Sequence, residues 1–205
     1  MVRQDFPLFP LEIVALPFEA VPLHIFEARY RTMIAQCLES GSEFGIVWAS
    51  EEGLRQVGCA CEIAEVLERH EDGRLDILTR GTRPFRLVEA HENLPYPAGT
   101  IEWLDDKPEP PDPATAEAAH EVYATLVEQA TDTEPEHDEV AAMSAYAMAA
   151  TVDFGLEAKQ GLLSLRSENA RLRLVTRLLR AALKRLDFIE RAQARARSNG
   201  KVRFG

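Results

Sequence analysis

An α+β fold follows from three observations on the 205-residue chain: short alternating apolar runs up to residue 104, a Pro-rich acidic stretch at 105–113, and helical periodicity thereafter. Hairpin turns between the runs, with one helix inserted among them, predict a small, partly open β-barrel. The remainder predicts a helical bundle ending in a long helix. The expected organisation is a β-rich subdomain at 1–104, a linker at 105–113 and a helical subdomain at 114–205.

The first element is strand-like. Leu8, Phe9, Leu11, Ile13, Val14 and Leu16 form an apolar run that Pro7, Pro10 and Pro17 keep from being helical. After Pro22, the residues Ile25, Phe26, Tyr30, Met33, Ile34, Cys37 and Leu38 recur at three and four, which predicts an amphipathic helix with Glu27 near its start. Phe44 to Trp48 reads as a compact strand. From Val57 to Glu68 apolar and polar residues alternate, as in a half-buried antiparallel strand. Asp72-Gly73 is a tight hairpin signal leading into Leu75 to Thr79. Gly81 and Pro84 interrupt the next strand-like stretch and predict a bulge or corner, and Thr100 to Leu104 supplies a last strand.

Beyond the linker, 114–130 and 137–152 predict two helices separated by Pro135. Leu156 to Leu165 holds a short helix, and Ser167 is placed to cap the last one. In that helix Leu172, Val175, Leu179, Ala182, Leu186 and Ile189 form a seam of about three heptads. Packing on neighbouring helices is favoured for the seam, with self-association into a homo-oligomer as the alternative. The tail from Arg191 to Gly205 is expected to fray.

Composition narrows the function classes. No window approaches the ~18 consecutive apolar residues of a membrane span, and no signal peptide opens the chain, so a cytoplasmic protein is expected. Cys37, Cys59 and Cys61 lack the spacing of a disulfide framework or a zinc site, so buried thiols and no metal are expected. Charge is segregated. Residues 1–104 hold 9 Lys+Arg against 17 Asp+Glu, 105–157 hold 1 against 14, and 158–205 hold 13 against 3, for nets of −8, −13 and +10.

Several motifs stand in a recognisable order: Phe6 to Leu11, Pro22 to Tyr30, Gly45-Ile46-Val47, Val57-Gly58-Cys59, Asp72-Gly73-Arg74, Gly81 to Leu87, Lys159-Gln160-Gly161-Leu162-Leu163 and Arg171-Leu172. In that order they resemble the N-terminal domain of Lon protease, in a stand-alone form. The resemblance implies a PUA-like β-barrel joined to a helical bundle, a domain that recognises substrates in the full protease and serves as part of an adaptor in cereblon-like proteins. The Gly-x-x-x-x-Gly-Lys-Ser/Thr loop of an ATPase is absent from the sequence, and no room follows Ile189 for a Ser–Lys peptidase domain. A non-enzymatic binding protein is therefore expected, with no catalytic residues and no cofactor.

The expected partners are unfolded or extended polypeptide segments, or a partner protein. Phe18, Phe26, Tyr30, Trp48, Phe85 and Trp103 are the large side chains available to line an apolar groove for them. RNA binding is the alternative, carried by Arg171, Arg173, Arg177, Arg180, Lys184, Arg185, Arg191, Arg195 and Arg197, but the acidic β-rich part disfavours nucleic acid. His24 is expected to be a structural, hydrogen-bonded histidine. Glu27 and Arg29 are expected to hold the helix start against the barrel through Arg80 or Arg83.

Overall fold

The computed structural model describes residues 2–199. Seven strands and an inserted helix come first: β1 (Val2–Leu11), β2 (Ala20–Ile25), α1 (Ala28–Ser40), β3 (Phe44–Ser50), β4 (Gly53–Leu54), β5 (Val57–Arg69), β6 (Leu75–His91) and β7 (Ala98–Trp103). Strand order β1-β7-β6-β5-β3 returns to β1, because β1 and β3 pair in parallel from Leu8↔Gly45 to Leu11↔Trp48. The expected small barrel is thus a ring of five strands, with β2 paired on β6 and β4 on β3. A parallel pair needs a long crossover, and β2 with α1 supplies it.

One apolar cluster fills the ring. Phe6 and Leu8 of β1, Val47 of β3, Ala60 of β5, Phe85 of β6, and Ile101 and Trp103 of β7 form it, so every strand of the ring contributes. Side-chain alternation sends their neighbours Phe9, Ile46, Cys59 and Cys61 into a second, larger cluster shared with the helices. Space in the ring is set by Gly45, where a Cβ would stand 2.6 Å from the Phe85 ring.

β2 departs from the sequence expectation. The chain after Pro22 is not yet helical: Ala20 to Ile25 is a strand whose Val21, Leu23 and Ile25 turn inward while Ala20, Pro22 and His24 face out. That period-two pattern was legible, but the three-and-four spacing of Ile25, Phe26 and Tyr30 masked it. Pairing with the first half of β6 decides the matter, and helix α1 begins only at Ala28. The expected corner is present as a bulge at Thr82, since Ala60 faces Arg83 while Cys61 faces Gly81.

The helices are α2 (Pro113–Thr131), α3 (His137–Ala141), α4 (Ala145–Ala149), α5 (Leu156–Leu163) and α6 (Glu168–Asn199). Asp112 caps α2 by accepting from the Thr115 N–H and hydroxyl. The single helix expected over 137–152 is broken, because Ser144 Oγ accepts from Ala147 N–H and Glu168 accepts from Ala145 N–H at 2.7 Å. Two side chains thereby cap a new start at α4 that local propensity alone does not ask for. Ser144→Ala is expected to lower the unfolding free energy by about 1 kcal/mol in urea titrations; an unchanged midpoint would show that Glu168 suffices.

Ser167 Oγ accepts from Ala170 N–H, as its position ahead of α6 implies. Leu172, Val175 and Leu179 of the seam are buried against the chain's own helices, and Ala182 and Leu186 pack partly against the same cluster. Helix α6 runs on to Asn199, past Arg191, and Gly200 to Gly205, the end of the stretch expected to fray, lie outside the described residues. Among the described residues no helix is long and apolar enough to cross a membrane.

Candidate functional site: a groove between the strand ring and the helices

Residues 12–19 cross from β1 to β2 over the corner of β6. The crossing is locked by a reciprocal backbone pair: Phe18 N–H donates to Gly81 O at 2.8 Å, and Gly81 N–H donates to Glu19 O at 2.9 Å. Glu19 fixes the turn twice more, accepting from Leu16 N–H at 2.9 Å and from Lys159 Nζ of α5 at 2.5 Å. Both side chains of this ion pair are largely buried, so the turn is bolted to the helices as well as to the ring.

The Lys159-Gln160-Gly161-Leu162-Leu163 motif has a physical task here. Lys159 holds Glu19, Gln160 Nε2 donates to Val57 O of β5 at 3.0 Å, and Leu162 and Leu163 are core. Gly161 lies against Leu174 of α6, where a Cβ would be 3.7 Å from Leu174 Cδ2. One short helix therefore docks the helical part on the ring.

Phe18 is held in the left-handed region at φ +69°, a conformation that costs a bulky residue roughly 1–2 kcal/mol. The residue is nonetheless 61% exposed. An aromatic that is both strained and left in water gains nothing for folding, and such positions concentrate where function requires them. Phe18 stands at the lip of a groove of about 660 Å³ whose walls are Pro17 and Pro84 from the ring side and Ala142, Met143 and Tyr146 from the helices.

Arg171, 2% exposed, forms the polar side of the groove. Its guanidinium donates to Asp106, to Leu165 O at 2.9 Å and to Glu168, and it lies 4.4 Å from the centre of the Tyr146 ring. Burial pushes the Tyr146 phenol well above its usual range, so it stays protonated and donates to Leu162 O. His120 Nε2 is 2.9 Å from Met143 O. Arg171, Asp106, Glu168, Tyr146 and His120 are thus bonded to one another or to backbone, and the free surface of the groove is mostly apolar.

The six aromatic candidates are not gathered in one place. Phe18 alone lines this groove. Phe26 is 61% exposed but stacks on His24, with ring centroids 5.9 Å apart. Tyr30 is buried against Phe9 at 4.1 Å, and Trp48 is buried in the same cluster. Phe85 and Trp103 are in the ring interior, edge-on to Phe6 at 5.5 and 5.6 Å. Those four bind the fold together and present almost no surface to a ligand.

The expected partners of Glu27 and Arg29 and the basic stripe need correcting, while the cysteines and His24 stand as expected. Glu27 and Arg29 pair with each other at 2.8 Å, while Arg80 pairs with Glu62 and Arg83 with Glu43. Arg171 is no part of a basic stripe; Arg173, Arg177 and Arg180 are exposed. The side chains of Arg195 and Arg197 lie outside the described residues. Cys37, Cys59 and Cys61 are buried and unpaired, and burial raises the Cys59 thiol well above its usual range. His24 is hydrogen-bonded to Asp76, as a structural histidine should be.

Sequence reasoning missed the Glu19–Lys159 link and the Arg171 cluster, whose members lie 140 and 65 positions apart. The positive φ at Phe18 carried no local signal either, since it is imposed by the Gly81 corner.

Comparison with known proteins agrees with this geometry. The model of the ATP-dependent protease La (LON) substrate-binding domain matches residues 5–181. A Lon protease of Parabacteroides distasonis is 31% identical over 121 residues, covering 54% of this chain and 15% of that protein, so the chain spans a small part of that relative's length. The crystal structure of a Lon N-terminal domain protein from Xanthomonas campestris superposes with a TM-score of 0.64 at 25% identity, over 83% of this chain and 96% of the other. The N-terminal domain of Mycobacterium avium complex Lon protease shares the fold, with a TM-score of 0.61 at 22% identity over 86% and 98%. Because the matched span takes in the ring, the Phe18 turn, the α5 docking motif and the first half of α6, the chain belongs to the Lon substrate-binding domain family.

Proposed function

We propose that this chain binds extended segments of unfolded polypeptide in the groove between ring and helices, reversibly and without chemical turnover. Residues 1–104 and 114–205 act as two subdomains about the 105–113 segment, and the groove is their junction. The observation that carries the proposal is Phe18, an exposed aromatic kept at an unfavourable φ on the lip of an apolar cleft. An extended chain offers apolar side chains to such a lip and backbone groups to polar positions beside it. Membership of a substrate-binding family supports the same assignment.

Phe18→Gly separates binding from stability. Relief of the left-handed backbone is worth roughly 1–2 kcal/mol, against ~0.5–1 kcal/mol for the added freedom of glycine in the unfolded chain. The variant is expected to be as stable as the parent or up to about 1.5 kcal/mol more so, yet to bind a reduced, carboxymethylated model protein at least tenfold more weakly, as loss of an aromatic anchor does. Fluorescence anisotropy in the presence of a chelator measures the binding. No association of the parent chain with several such clients, or equal affinity of the variant, would refute the proposal.

A further inference from the structure

A second cluster lies around Asp76, on the outer side of the β2–β6 pair. His24 of β2 is the direct cross-strand partner of Asp76 in β6. The hairpin closed by Asp72-Gly73 brings His70 back over the same carboxylate. His24 Nδ1 is 2.5 Å from Asp76 Oδ1, and His70 Nε2 is 2.8 Å from Asp76 Oδ2. One ligating atom from each of the three residues lies within 4.8 Å of the other two.

From this arrangement we propose that His24, His70 and Asp76 form a three-ligand site for a divalent transition-metal ion, with Zn²⁺ the best match. Two imidazoles and one carboxylate are a donor set zinc takes readily, with a fourth position left open. Bonds of about 2.1 Å in a tetrahedron hold ligand atoms about 3.4 Å apart. The two close contacts, which use different oxygens of Asp76, need to open by less than about 1 Å, and any wider pair, all lying within 4.8 Å, to close by at most about 1.4 Å.

A second carboxylate stands nearby, beyond hydrogen-bond distance. Glu68 Oε1 lies 3.6 Å from His70 Nδ1, the ring nitrogen that remains free when Nε2 binds metal. A carboxylate on the distal nitrogen is the usual support of a ligating histidine, fixing its tautomer and raising its basicity. Phe26 stacks on the His24 ring at 23°. The side chains of His24, His70 and Asp76 are 44%, 24% and 32% exposed, so an ion reaches them without any opening of the fold. Bound there, it crosslinks β2 to the β5–β6 hairpin.

This site is independent of the groove, and its test uses the metal alone. Full-length chain stripped with a chelator is titrated with Zn²⁺ by calorimetry and with Co²⁺ by visible absorption. The expected result is one equivalent bound, with cobalt bands of a four-coordinate N/O site and an unfolding transition that moves up with free zinc. His24→Gln and His70→Gln, which keep a hydrogen-bond donor toward Asp76, are expected to weaken binding by about 100-fold or more, and Glu68→Gln by roughly 10–100-fold. Urea melts confirm that each variant folds. Absence of saturable binding in the parent chain, or binding that persists in the His24→Gln/His70→Gln double variant, would overturn the proposal.

Discussion

Gly81→Ala is expected to lower the unfolding free energy by about 3 kcal/mol, the upper range for forcing an atom into a packed site. A Cβ at this position would stand 2.0 Å from Leu16 O and 2.8 Å from Leu16 C, which are backbone atoms with no rotamer to change. Either the 12–19 crossing lifts away from β6 or β6 itself bends. Both outcomes break the reciprocal pair in which Phe18 N–H donates to Gly81 O and Gly81 N–H donates to Glu19 O. Thr82 resists the second route, because the hydroxyl of this bulged residue donates to Glu43 and lies 3.1 Å from Ala60 O. Loss of the groove should accompany the loss of stability, since the same movement carries Phe18 off its lip. Paired urea titration and client-binding measurements check both effects, and a cost below about 1 kcal/mol would mean that the crossing yields more easily than its bonds imply.

Arg171→Met is the second large effect, with an expected cost of about 3 kcal/mol. The arginine is 2% exposed and directs all five of its guanidinium bonds inward, to Asp106, Glu168 and Leu165 O. Methionine fills much of the same volume but leaves Glu168, itself mostly buried, without the positive charge it faces. Removing one partner of a buried ion pair is the costly case, because the remaining charge stays desolvated. Asp106→Asn should cost less, as that carboxylate is 44% exposed and water takes part of the load. Equal losses for the two variants would place the energy in anchoring the 105–112 segment instead of in desolvation. The segment is otherwise fastened by Lys107 N–H to Arg166 O, by Arg166 to Asp105 O, and by Asn169 to Pro110 O and the Asp112 N–H.

Much of the architecture was legible because it rests on local rules. The Asp72-Gly73 hairpin, the Gly81–Pro84 interruption and the Ser167 cap each follow from what one or two residues can do with their own backbone. The seam at Leu172, Val175 and Leu179 declared a buried helix face by period alone. Where the same stretch satisfied two periods, as at Ile25, Phe26 and Tyr30, local rules had no means of choosing, and hydrogen bonding to β6 settled β2 as a strand.

The candidate sites were less legible. Aromatic residues announce that they bury area somewhere, yet Phe85 and Phe18 look alike until the strand register is known; one lies inside the ring and the other in water. His24 and His70 are 46 positions apart, so no spacing rule for metal ligands could join them, whereas the direct pairing of His24 with Asp76 does. The amino-acid sequence by itself determined the α+β composition, the turns and the family, because propensity, periodicity and chain-bending residues act over a few neighbours. Only the tertiary structure decided which aromatics meet solvent, which charges are buried together and where distant donors converge, because those depend on through-space distances that chain separation does not encode.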